Sequence, residues 1–177
     1  RILYKCPHCG AENQMEGKGI HLTCHACKKQ WTMDQYGQLS ANEGETEYPH
    51  IPDWYQWERA CVREELENGT YLLDTDVDIL IQVNLDGVCK IGTGHLTHSL
   101  DGFHLVGAEG KLDYSQSPIF THTLYSDYYW YEIADMICVG DNDKLFYCFP
   151  KGEGDVVAKT RLATEELYKL YKSRILK

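Results

Sequence analysis

Three regimes of hydrophobic patterning follow one another along the chain, and each predicts a different kind of element. Up to about Ser40 the apolar residues are sparse, and only Trp31-Thr32-Met33, a turn at Asp34-Gln35-Tyr36-Gly37 and Leu39 read as a short β-hairpin. Ser40 to Tyr48 is polar, with Glu43, Gly44, Glu45 and Glu47, and predicts a linker or surface loop. The spacing then lengthens to a helical one. Trp54, Trp57 and Cys61 fall on one stripe and Tyr55, Val62 and Leu66 on a neighbouring one, with Glu58 and Glu65 between them. This helix is entered at His50-Ile51-Pro52-Asp53, where Asp53 is placed to cap free N–H groups, and is ended by Asn68-Gly69. Its two apolar edges suit a wedge between neighbouring domains and a cover over one end of a sheet equally well.

From Gly69 the pattern shortens to β segments at fairly even spacing. They are Tyr71 to Leu73, Val77 to Val83, Val88 to His98, Phe103 to Val106, Lys111 to Tyr114, Ile119 to Tyr125, Tyr129 to Ile133, Met136 to Val139, Leu145 to Phe149 and Val156 to Leu162. Leu85-Asp86-Gly87, Leu100-Asp101-Gly102, Glu109-Gly110, Gly140-Asp141-Asn142-Asp143 and Gly152-Glu153-Gly154 supply turns that tolerate positive φ. A last amphipathic helix is predicted from Ala163 to about Leu176, acidic at its start and basic toward its end, which complements the helix dipole. The expected fold is mainly β (α+β), with boundaries at 1–40, 41–68 and 69–177.

Composition supports a folded chain: 177 residues, 43% of them hydrophobic, are enough for one ordinary domain and a small one. No apolar run reaches the roughly 20 residues of a membrane span, and no secretion signal is recognisable, so a cytoplasmic location is expected. The chain opens on Arg1 rather than methionine, which suggests a piece of something longer. Residues 41–177 carry twelve basic and twenty-four acidic side chains, against five and three in residues 1–40. Such acidity disfavours nonspecific contact with nucleic acid or an anionic bilayer.

The strongest chemical signal is Cys6-Pro7-His8-Cys9 and Cys24-His25-Ala26-Cys27, two C-x2-C knuckles fourteen residues apart. Two matched knuckles at this spacing predict a four-cysteine zinc ribbon, with Cys6, Cys9, Cys24 and Cys27 as ligands of a structural Zn²⁺. Four sulfurs leave no position for water, so hydrolytic zinc chemistry is not expected. His8, His21 and His25 are expected around the site rather than on the metal. The scattered Cys61, Cys89, Cys138 and Cys148 read as reduced, buried thiols.

Antiparallel strands followed by one amphipathic helix, with Gly92-Thr93-Gly94-His95-Leu96-Thr97-His98 and Gly102-Phe103-His104-Leu105 as paired strands and Glu165-Glu166-Leu167-Tyr168 in the helix, resemble a pleckstrin-homology or GRAM-type barrel. That resemblance implies a barrel over residues 69–177 with the helix plugging one end. Lipid-binding members hold inositol phosphates with several cations around the first hairpin. The matching turn, Asn84 to Lys90, offers one lysine and one aspartate, so phosphoinositide binding is not expected. The ribbon segment Tyr4 to Gly10, then His50 to Arg59, then the barrel, resembles the C-terminal region of bacterial glycerolphosphate (lysophosphatidate) acyltransferase-like proteins. This implies a parent enzyme that acylates a lysophospholipid, for which this piece is a noncatalytic accessory or regulatory tail that docks on the catalytic domain or on another protein. The alternative is a nucleic-acid or polymerase-associated zinc-ribbon adaptor.

Lookalikes of acyltransferase chemistry, His122-Thr123-Leu124-Tyr125-Ser126-Asp127 and Phe149-Pro150-Lys151-Gly152-Glu153-Gly154, are read as a strand histidine and a hairpin turn. Trp54, Trp57, Tyr128 and Trp130 are candidate interaction residues, the last two within an aromatic cluster from Tyr125 to Tyr131 whose alternate members are expected in the core. Asp74, Asp76 and Asp78 alternate as solvent-facing strand positions.

Overall fold

The computed structural model describes residues 2–84, 87–130, 132–141, 143–152 and 154–175. The expected turn at Leu85-Asp86, Tyr131, Asn142, Glu153 and the end of the last helix at Leu176 and Lys177 lie outside the described residues. The architecture is α+β. β1 (Met15–Lys18), β2 (His21–Cys24), β3 (Gln30–Met33) and β4 (Leu39–Ala41) form a small antiparallel sheet in sequential order, followed by helix α1 (Ile51–Asn68). The expected hairpin is β3 with β4, where Trp31 faces Ala41 and Met33 faces Leu39. β1 and β2 are added to it without having been foreseen.

A seven-stranded antiparallel sheet follows: β5 (Leu73–Asn84), β6 (Gly87–Ser99), β7 (Gly102–Gly107), β8 (Leu112–Gln116), β9 (Tyr125–Trp130), β10 (Ala134–Gly140) and β11 (Leu145–Pro150). Its order is β8-β7-β6-β5-β11-β10-β9, and helix α2 (Val157–Ile175) closes the chain. No ladder joins β8 to β9 among the described residues, so the sheet is open rather than a closed barrel. It nevertheless curls: the buried Gln116 at the end of β8 accepts a hydrogen bond from the Gly140 N–H of β10 at 3.0 Å, and Tyr114 of β8 meets Phe146 of β11.

β10 and β11 are apolar on both faces. Ile137, Val139, Phe146 and Cys148 pack with Val77, Ile79, Leu96 and Leu105, while Met136, Cys138, Tyr147 and Phe149 pack with Trp130 on the opposite face. Burial on both sides makes such strands read as continuous apolar runs.

Several predicted segments differ from the structure. Of Tyr71 to Leu73 only Leu73 is in a strand, at the start of β5, and the strand expected from Tyr129 to Ile133 gives way to a turn at Glu132 and Ile133. Ile119 to Leu124 is a loop, opened by a turn in which the Phe120 N–H donates to the Ser117 carbonyl at 3.0 Å with Pro118 at its second position, and β9 begins only at Tyr125. Val156 to Leu162 is not a strand but the start of α2. Asp155 Oδ1 accepts from the Val157 N–H at 3.2 Å, and Thr160 and Thr164 donate to the carbonyls of Val156 and Thr160 one turn back. Helix α1 ends as expected at Asn68 with Gly69 at φ +70, but it begins at Ile51, so Asp53 sits in its first turn rather than capping it.

Two compact units form, Arg1–Cys61 and Val62–Lys177, and the division falls inside α1 rather than at 40/41 and 68/69. The first three turns of α1 belong with the small sheet: Trp54 packs edge-on against Trp31 at 5.0 Å and donates from its indole N–H to the Lys5 carbonyl at 3.0 Å. In the second unit the end of α1 is tied to α2 by Arg63–Glu166 at 3.1 Å and Glu65–Lys159 at 2.8 Å. No described helix is long and apolar enough to cross a membrane.

Candidate metal centre

Each knuckle sits at the tip of a tight antiparallel turn. An isolated bridge pairs Lys5 with Glu12, and between them the Cys6 N–H donates to the Ala11 carbonyl while the Gly10 N–H returns to the Cys6 carbonyl, both at 2.9 Å. The second knuckle repeats this between β2 and β3: the Cys24 N–H donates to the Lys29 carbonyl at 2.9 Å and the Lys28 N–H to the Cys24 carbonyl at 2.8 Å. The residue after each second cysteine turns left-handed, Gly10 at φ +75 and Lys28 at φ +65. This geometry points both thiols of a knuckle toward one place.

The four Sγ atoms lie within 4.8 Å of one another, and Cys6–Cys27 and Cys9–Cys24 are each 3.8 Å apart. A tetrahedron with metal–sulfur bonds of ~2.3 Å has edges of ~3.8 Å, whereas a disulfide needs ~2.05 Å. The set therefore fits a metal ion such as Zn²⁺ and does not form disulfides. Burial pushes the Cys6 thiol above its ordinary value, while the Ala11 N–H lowers that of the exposed Cys9. A cation at the centre would supply the charge that lets all four ionise.

The neighbouring histidines are engaged elsewhere. His21 meets Thr32 at 3.0 Å, His25 meets Glu16 at 2.9 Å and His8 meets Glu47 at 3.2 Å. Glu47 is the member sequence reasoning missed. It also accepts from Lys29 at 2.6 Å and from the Trp31 indole at 3.2 Å, which ties the polar stretch before α1 to both knuckles and to the core. Burial alone would raise its carboxyl, but Lys29 and the Trp31 N–H hold it below the usual range. Nothing in the run of glutamates marks this one. Glu58, on α1, is likewise unforeseen: fully buried, it accepts from the Lys5 N–H at 2.8 Å, and burial pushes its carboxyl up to about 8.

The candidate interaction residues separate by exposure. Trp54 is fully buried in the core of its own unit and presents no surface, while the half-buried Trp57 rests on Tyr48. Trp130 is buried against Tyr147 and Phe149, and Tyr128 is half-buried. His122 lies in an exposed loop, edge-on to Tyr168. Asp74 and Asp76 face outward and grip His95 at 2.8 and 2.9 Å, and Asp78 holds Lys90 and Lys151, so the aspartate row is matched by side chains. Of the remaining thiols, Cys138 and Cys148 are buried as expected, but Cys61 is half-buried and Cys89 exposed. Burial pushes Cys138 up to about 12.

A four-cysteine cluster typical of a zinc ribbon, followed by a β-sheet domain, is thus what the chain contains. No protein-family model matches the chain, and no curated protein matches it significantly.

Proposed function

We propose that this chain is a noncatalytic interaction module braced by a structural Zn²⁺, and that it serves as the accessory tail of a lysophospholipid-acylating enzyme of the glycerolphosphate acyltransferase type. The observation that carries the noncatalytic, metal-braced part of the reading is the all-sulfur tetrahedron: four thiols at zinc-like separations would fill the coordination shell, so the ion would hold two turns together with no position for a reacting water. The acyltransferase parent rests on the resemblance carried by Tyr4 to Gly10 and His50 to Arg59 alone. A bracing role is supported by two of the four ligands, Cys6 and Cys24, being members of the buried cluster that holds Trp31 and Trp54. The second unit is read as pleckstrin- or GRAM-like. A meander of four strands and another of three, joined through β5 and β11 in one open, curled sheet and followed by α2, supports that reading.

The adaptor reading is weakened by the ribbon's own ion pairs. Lys29 is bound to Glu47 and Lys5 to Glu12 at 3.3 Å, which leaves less free positive charge for phosphates. Steeply salt-dependent mobility shifts with RNA or DNA would favour it instead.

The test is to read the coding sequence upstream of Arg1 and to measure the metal. An open frame encoding a His and an Asp with four residues between them, then well downstream Phe-Pro-Glu-Gly-Thr-Arg, is expected, with one zinc equivalent in the purified chain. An unrelated upstream frame overturns the tail, and reduced protein without metal overturns the brace.

A further inference from the structure

β9 ends the seven-stranded order, and its outer backbone groups have no ladder partner among the described residues. Open edges template pairing with another strand, and proteins that resist this place lysine, proline or a bulge along them. β9 has neither lysine nor proline, and its bulge falls between Asp127 and Trp130, which leaves Tyr125 to Asp127 in regular register with Met136 to Cys138. Every second residue is exposed: Tyr125 at 57%, Asp127, and Tyr129 at 63%, with Ile133 at 54% just past the strand.

Its charge is also unlike that of the other strands. Asp74, Asp76 and Asp78 of β5 are held by His95, Lys90 and Lys151, Asp113 of β8 by His104 at 2.9 Å, and Asp135 of β10 accepts the Tyr129 N–H at 3.0 Å. Asp127 has no such partner among the described residues, and neither has Glu132 in the turn beyond it. Residues 62–177 hold 19 acidic and 11 basic side chains, so a second copy would bring like charge against this edge.

We propose that the outer edge of β9 receives an extended, basic segment of a partner protein as an added strand, with a lysine or arginine beside Asp127 and between the rings of Tyr125 and Tyr129. Main-chain ladder bonds supply affinity, the unmatched carboxylate selects positive charge, and the tyrosine faces hold the cation. The inference rests on the interaction-module part of the proposed function and not on its metal or its acyltransferase parent.

Fluorescence polarisation with the full chain and a labelled peptide alternating Arg and Val tests it, beside a Glu and Val counterpart. Binding of the basic peptide alone is expected, with slowed hydrogen exchange at residues 125–130, about tenfold weakening in Asp127→Lys and a loss at high salt. Tyr125→Ala, at an exposed position, is expected to weaken binding while leaving thermal stability unchanged. Undiminished binding by Asp127→Lys, protection outside β9, or protection of β9 by self-association without peptide overturns the proposal. Such a result with zinc still bound leaves the metal-braced module standing, whereas metal-free protein that still binds peptide through β9 fails the brace alone.

Discussion

Glu58 shows how one buried group sets a pH dependence. Its carboxyl is ordinary in the unfolded chain, near 4.5, and is raised to about 8 in the fold by burial, against the pull of the Lys5 and Tyr4 main-chain N–H groups. Below the unfolded value both states are protonated and the stabilisation is complete; as pH rises through the folded value the fold must hold a proton the unfolded chain releases, and stability falls. Glu58→Gln keeps the acceptor for the Lys5 N–H and removes the titration. The unfolding free energy of the first unit, from urea titrations, should therefore decline from pH 6 to 9 in the parent by an amount on the order of a few kcal/mol and stay nearly flat in the variant. Gly10 offers a second single-residue test. No atom lies within 4 Å of an added Cβ, so Gly10→Ala is expected to cost about 1 kcal/mol through its left-handed φ alone, measured by denaturation of the metal-loaded protein. The cysteine ligands were legible because their spacing encodes the chemistry locally. Glu47 and Glu58 were not, since their partners stand eighteen and fifty-three residues away and nothing local distinguishes them from solvated glutamates.

At the scale of elements, local preference and packing disagree most at the start of α2. Val156, Val157 and Thr160 favour a strand by propensity, yet Asp155 caps the turn and the stripe Val157, Ala158, Leu162, Ala163 and Leu167 buries a helical face. The helix wins because that stripe is buried, while the hydroxyls of Thr160 and Thr164 bond one turn back, which leaves neither buried donor unpaired. The strands β5, β6, β7, β10 and β11 were legible from alternation or from apolar runs between turn residues. β9 was displaced, because the chain turns at Ser117–Phe120 before it and the register shift between Ala134 and Met136 ends its regular pairing with β10, although exposed and covered residues still alternate along it. Gly94 and Gly107 face each other across β6 and β7, where a Cβ on Gly94 would come to 2.4 Å from the Val106 carbonyl oxygen and 2.6 Å from Ile79 Cδ1. Gly94→Ala is expected to destabilise the second unit by about 1–3 kcal/mol in thermal denaturation, since backbone must move to admit it. Gly152→Ala, whose nearest neighbour is Thr75 Oγ1 at 3.7 Å, should change it by less than about 0.5 kcal/mol.

The two units have cores of unequal independence. The first gathers Leu3, Trp31, Leu39 and Trp54 around Cys6 and Cys24, so that two of its buried members are the proposed zinc ligands. The second rests on sheet packing with no metal-ligand cluster among the described residues, and holds the buried His98, bonded to the Tyr71 hydroxyl at 3.0 Å and stacked on Phe103. Chelation should act on these cores differently. Removing zinc leaves unlinked thiols at the centre of the first core and is expected to unfold Arg1–Cys61, with loss of the near-ultraviolet dichroism of the Trp31–Trp54 pair. Burial lowers His98 to about 3, so it folds neutral; its stabilisation is present above the ordinary 6.5 and declines as pH falls below it. In chelator, the surviving transition should therefore weaken from pH 7 to pH 5, and His98→Phe should make it less sensitive to acid. A single transition that chelator abolishes entirely would instead show that α1, divided between both units, transmits the loss of metal to the sheet.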